Sequence, residues 1–107
     1  MESSKSATPE INLPEAGTPL QLASSERGDL RSRAHALSPM VWVGQAGISE
    51  AVLLEIERAL RAHELIKLKW PEVDKSQRMA WGNMICERLS AAPVQWIGRI
   101  MVLYRPR

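Results

Sequence analysis

From Met40 onward the hydrophobic period of this chain switches repeatedly between strand and helix spacing, and glycine, proline or a capping side chain marks the switches. Met40-Val41-Trp42-Val43 is a short β-prone apolar run closed by Gly44, which suits a buried strand. Ser49, a good N-cap, then opens a helix whose apolar stripe is Val52, Leu53, Ile56, Ala59 and Leu60. Glu50, Glu57, Arg58 and Arg61 take the opposite side, with Glu57 and Arg61 paired at i, i+4. From Leu65 to Trp70 the period becomes two: Ile66, Leu68 and Trp70 on one face, Lys67 and Lys69 on the other, up to Pro71. Asp74 caps a third helix running to about Ala91, with Trp81, Ile85 and Leu89 as its ridge, widened by Met84 and weakened slightly by Gly82. Val94–Ile97 and Ile100–Tyr104 flank Gly98-Arg99 at the spacing of a tight hairpin.

A further helix precedes these elements. Gly28 or Asp29 can cap it, Leu30, Ala34 and Leu37 form its stripe, and Pro39 ends it. Arg31, Arg33 and His35 face outward on it. The order is therefore α-β-α-β-α-β-β. Strands separated by helices are expected to pair in parallel, and the final hairpin adds an antiparallel pair. The expectation is a small two-layer α/β domain with a four-stranded mixed sheet.

Composition divides the 107-residue chain at the start of that first helix. Residues 1–28 carry eight apolar residues, three prolines, five serines and a net charge of −2, too little apolar surface to offset the entropy of ordering. They read as a disordered tail, dispensable for folding. Residues 29–107 carry the other forty apolar residues, all four tryptophans and a net charge of +4, and read as the folded domain. The longest apolar run is five residues, so no segment spans a bilayer, and a cytoplasmic location is expected. A single cysteine allows no intramolecular disulfide.

Catalysis and metal binding find little support. His35 and His63 sit near helix ends, Cys86 lies in a helical apolar pattern, and no nucleophile motif or zinc-type spacing joins them. No catalytic residue, metal site, cofactor or small-molecule substrate is expected. Gly44-Gln45-Ala46-Gly47 is more informative. It leaves a strand and feeds a helix N-terminus, where unpaired N–H groups and the helix dipole favour an anion. Its glycines let a phosphate approach the backbone closely, as in the GxxG loop of KH domains. Basic side chains outside the apolar stripes, among them Arg31, Arg33, Lys67, Lys69, Arg99 and Arg105, would widen a positive surface if they converge. Trp42, Trp70 and Trp81 read as core, whereas the pattern leaves Trp96 open. The competing reading is a protein–protein adapter in which the GxxG is an ordinary turn.

Several separated motifs occur in an order seen in one family. They are Leu30-Arg31 with Ala34-His35 and Leu37-Ser38-Pro39; Val41-Trp42-Val43-Gly44-Gln45-Ala46-Gly47-Ile48-Ser49-Glu50; and His63-Glu64-Leu65-Ile66-Lys67-Leu68-Lys69. Val94-Gln95-Trp96-Ile97-Gly98-Arg99 and Val102-Leu103-Tyr104-Arg105-Pro106 complete the set. Over residues 29–107 the chain closely resembles the bacterial YhbY-type proteins, each a single CRM (chloroplast RNA splicing and ribosome maturation) domain. The resemblance implies a fold similar to the C-terminal domain of translation initiation factor three. It also implies an RNA-binding factor that associates with ribosomal RNA in precursors of the large subunit. On this resemblance Gly44, Gln45, Ala46 and Gly47 are the RNA contact, joined by Arg31, Arg33, His35, Arg99 and Arg105. The third helix is the least family-like stretch, and Gln45-Ala46 adds no positive charge to the loop. Oligomeric state is left open.

Overall fold

The computed structural model describes residues 19–107. Its elements are α1 (Ser24–Ala34), β1 (Val41–Trp42), α2 (Glu50–His63), β2 (Leu65–Lys69), α3 (Lys75–Leu89), β3 (Ala92–Ile97) and β4 (Ile100–Tyr104). The element order and the mixed four-stranded sheet are those expected. Ser49 Oγ accepts from the Val52 N–H at 3.2 Å and Asp74 Oδ1 from the Gln77 N–H at 3.1 Å, so both expected caps are formed.

The strand order is β1-β2-β4-β3. β1 pairs with β2 in parallel, and β4 is antiparallel to both β2 and β3. The expectation that helix-separated strands pair in parallel holds for β1 and β2 only. β4 occupies the place beside β2, so β2 and β3 never meet. Side-chain alternation then divides the sheet into two faces. Val41, Val43, Ile66, Leu68, Trp70, Met101 and Leu103 pack with Leu53, Ile56 and Leu60 of α2 and Ile85, Cys86 and Leu89 of α3. Leu65, Val94 and Val102 point the other way, onto Leu30 and Ala34 of α1. The expected two layers are thus three, because α1 covers the face that α2 and α3 leave free. Fully burying each large aliphatic side chain contributes about 1.5–3 kcal/mol, so the larger cluster dominates the stability.

The start of the domain differs from the sequence expectation. α1 begins at Ser24, with Ala23 in the capping position rather than Gly28 or Asp29. Alanine offers no capping oxygen, and the Ala23 N–H instead donates to Glu26 Oε1 at 3.4 Å. Leu22 packs against the α1 cluster, the Leu20 N–H donates to the Ala91 carbonyl, and Arg27 Nε donates to the Pro93 carbonyl. Residues 20–28 therefore belong to the fold, against the boundary at residue 28. Residues 1–18 of the expected tail lie outside the described residues.

In α3 the buried positions are Gly82, Ile85, Cys86 and Leu89, while Met84 is exposed, so the ridge is not widened on that side. Gly82 has a packing role: a Cβ there would collide with the Trp96 ring. Trp96 stacks on Trp70 at 6.3 Å between centroids and 12° between planes, and Trp81 approaches Trp70 at 6.2 Å and 37°. Trp70 is fully buried and its indole N–H has no hydrogen-bond partner among the described residues.

Glu57 was expected on the solvent side of α2 and is instead 5 % exposed. Arg105 holds its two carboxylate oxygens at 2.6 and 2.8 Å, and Arg61 Nε adds the expected i, i+4 contact at 3.1 Å. Burial alone would raise the Glu57 pKa, but the two guanidinium groups outweigh it and hold the carboxyl below its ordinary value.

Candidate nucleic-acid interface

β1 ends where the Val43 N–H donates to the Lys69 carbonyl at 2.9 Å, and the chain turns at once into the glycine loop. The Gly47 N–H closes that turn onto the Gly44 carbonyl at 3.0 Å. Gly44, Gln45 and Ala46 are exposed, while Gly47 is buried. Gly47 needs to be glycine on two grounds. Its φ is +85°, and a Cβ would lie 2.6 Å from Trp81 Cζ2. Ile48 then packs against the core and Ser49 caps α2, so the loop is held at both ends.

The first turn of α2 presents backbone N–H groups that the helix itself cannot pair. The Val52 N–H is taken by Ser49. Glu50, also in that turn, places a carboxylate where an anion would sit, but Arg88 of α3 holds it through two bonds of 3.2 and 3.3 Å. This pairing reduces the local negative charge.

Register fixes which expected site residues join the loop. The Trp70 N–H donates to the Arg99 carbonyl, and Arg99 Nε donates back to the Trp70 carbonyl at 3.2 Å. The β3–β4 turn with Arg99 therefore lies at the same end of the sheet as the loop. Lys69, the last residue of β2, is at that end too, with its Nζ 5.7 Å from the Trp42 ring centroid. Lys75 and Arg78 of α3 line a cleft beside Gly98 in the same turn. The sequence already offered Lys69 among the basic residues that would widen the surface on converging, but it gave no signal for Lys75 and Arg78, which the packing of α3 brings to the turn.

The other candidates are placed elsewhere. Lys67 lies one row further back on the α1 side, its Nζ donating to the Leu37 carbonyl at 2.9 Å, and His35 shares a cleft with it. Arg31 is at the outer edge of β3, beside Gln95 and Trp96. Arg33 is exposed on α1. Arg105 follows β4 at the opposite end of the sheet, where its backbone N–H donates to the Glu64 carbonyl and its guanidinium to Glu57 and the Leu89 carbonyl. Its guanidinium serves the fold.

Trp42 corrects the sequence reading most sharply. It is 67 % exposed, because β1 is an edge strand and α1 does not reach that part of the sheet. Cys86 is buried, and burial, aided by the nearby Glu87 charge, pushes its thiol up to about 12, far from thiolate chemistry at neutral pH. Among the described residues no three His, Cys, Asp or Glu side chains converge as a metal site, and no helix is long and apolar enough to cross a membrane.

The family model described as the CRS1 / YhbY (CRM) domain matches residues 22–105, which include the first turn of α1. A Haemophilus influenzae protein named "RNA-binding protein" is 45% identical over 85 residues, covering 79% of this chain and 86% of its own length. A Pseudomonas aeruginosa protein with "RNA-binding" in its name is 35% identical over 86 residues, covering 80% of this chain and 83% of its own. The solution structure of a hypothetical protein from Staphylococcus aureus superimposes with a TM-score of 0.72 at 29% identity, covering 81% of this chain and 91% of that one. The chain belongs to the CRS1/YhbY (CRM) domain family.

Proposed function

We propose that this protein is a non-catalytic RNA-binding factor of ribosome assembly, gripping phosphates of ribosomal RNA in large-subunit precursors at the Gly44–Gly47 loop. The observation that carries the reading is the convergence of an exposed, glycine-lined strand-to-helix turn with Lys69, Arg99, Lys75 and Arg78 at one end of the sheet. The names of the Haemophilus and Pseudomonas relatives support RNA as the polyanion. The assembly role rests on the likeness of the motifs to the YhbY type, and a cytoplasmic location follows from it. Phosphate contacts of this kind set position on the RNA, while selectivity comes from RNA shape or from a single-stranded segment.

RNA affinity measured by fluorescence anisotropy across a salt series tests the reading. The native chain is expected to bind with an affinity that falls steeply as salt rises, and Gln45→Asp with Ala46→Asp to lower the affinity at least tenfold, roughly the loss of one to two phosphate contacts. Binding that survives both substitutions in a folded variant would return the loop to the role of a turn. Absence of RNA binding by the native chain would favour the protein–protein adapter, whose apolar interface is far less sensitive to salt.

A further inference from the structure

One row of side chains crosses all four strands on the face that carries α1. Register places Trp42 beside Lys69, Lys69 beside Ile100, and Ile100 beside Ile97. Val41, Val43, Leu68 and Met101, the neighbours of this row along the strands, point into the opposite core, so the four side chains share the outer face. α1 covers Leu65, Val94 and Val102 and stops short of the row. Trp42 is left 67 % and Ile97 55 % exposed.

Apolar exposure alone would not identify what covers such a row. The charge around it does. Lys69 lies over the Trp42 ring, and the adjoining cleft of about 120 Å³ is lined by His35, Lys67 and Gln95 together with Ile97 and Ile100, with no carboxylate among its lining residues. An aromatic ring flanked by cations on an open four-stranded sheet matches the chemistry of a single-stranded nucleic acid, whose bases stack on the ring while its phosphates meet the lysines. The row is also continuous with the glycine loop, since Trp42 precedes Gly44 by two residues.

We infer that the outer sheet face is a second RNA contact, in which an unpaired base stacks on Trp42 and the adjacent phosphate meets Lys69. This inference rests on the RNA-binding reading and adds to it a class of RNA, a segment with unpaired bases. A duplex keeps its bases stacked on each other and gains nothing from the ring.

The test compares a short oligoadenylate with a mixed-sequence RNA duplex, each titrated into the native chain, Trp42→Ala and Trp42→Phe, after thermal melts show that the variants are folded. Trp42→Ala is expected to weaken oligoadenylate binding about tenfold, within the range for loss of one base–aromatic stack, and to leave duplex affinity nearly unchanged. Trp42→Phe is expected to keep most of the native affinity. Oligoadenylate should also quench the tryptophan emission of the native chain more than that of Trp42→Ala. Equal losses on both RNAs would overturn the inference, as would native duplex binding without oligoadenylate binding. Native-like binding by Trp42→Ala would overturn it while leaving the phosphate-binding reading intact, and would assign the row to a protein partner. If the native chain binds neither RNA, both readings fall.

Discussion

Replacing Arg105 by methionine keeps much of the side chain's apolar length and removes three hydrogen bonds, two to Glu57 at 2.6 and 2.8 Å and one to the Leu89 carbonyl at 3.0 Å. Glu57 is 5 % exposed, and its remaining partner Arg61 has a side chain 64% exposed, so solvent screens most of what that pair can contribute. The variant therefore leaves a buried carboxylate nearly uncompensated. Breaking a fully buried pair costs about 3–5 kcal/mol, and the partial exposure of Arg105 places this case at about 2–3. For a domain of this size each kcal/mol lowers Tm by about 4–8 °C, which gives a drop of roughly 10–20 °C in a calorimetric or circular-dichroism melt. A cycle with Glu57→Gln should return a coupling of the same order, because the second substitution removes the orphaned charge. RNA affinity, measured where both proteins are folded, should change by no more than about twofold, since Arg105 lies at the far end of the sheet and salt screens its charge. A Tm loss of less than about 5 °C together with a marked loss of RNA affinity would refute this reasoning and return Arg105 to the RNA surface.

Two further substitutions probe the interior. Gly82→Ala would raise the helix propensity of α3 by about 1 kcal/mol in an exposed position, but here the new methyl group meets the Trp96 ring. Urea denaturation should show a net loss of about 1–3 kcal/mol, and a gain in stability would show that Trp96 moves aside freely. Glu57 gives the acid dependence. Its folded pKa lies below 4.5, so its ion pairs stabilise the fold above that value and lose their effect as pH falls through the folded pKa. The melting-temperature gap between the native chain and Glu57→Gln should be constant near neutral pH and shrink below pH 4.5; a gap that widened in acid would contradict the assignment.

What was legible in the sequence was local. Ser49, Asp74 and the Gly98-Arg99 turn act through their own neighbours in the chain, and each does in the structure what its residue type requires. The glycine loop was legible for the same reason, since a strand exit and a helix entrance fix its place. Trp42 was not. A four-residue apolar run carries no sign of whether its strand is central or at the edge, nor of how far the helix packed on Trp42's own face extends. Glu57 misled in a similar way, because helical period assigned it to solvent while Arg105, 48 residues later in the chain, made its burial tolerable. Arg99 reached the loop's end of the sheet only through the insertion of β4 beside β2, a long-range event without a local signature.

The three packed tryptophans have a consequence for how the loop can work. Gly47 rests against Trp81, Trp81 meets Trp70, and Trp70 stacks on Trp96, which in turn fills the space left by Gly82. Rigid rings with few torsions thus form a continuous pillar from the loop down to the hairpin and α3. The Gly47 end of the loop is thereby preorganised, its shape set by the interior before any ligand arrives. In the proposed complex the ordering entropy therefore falls on the RNA and on the long basic side chains, and the loop contributes almost none.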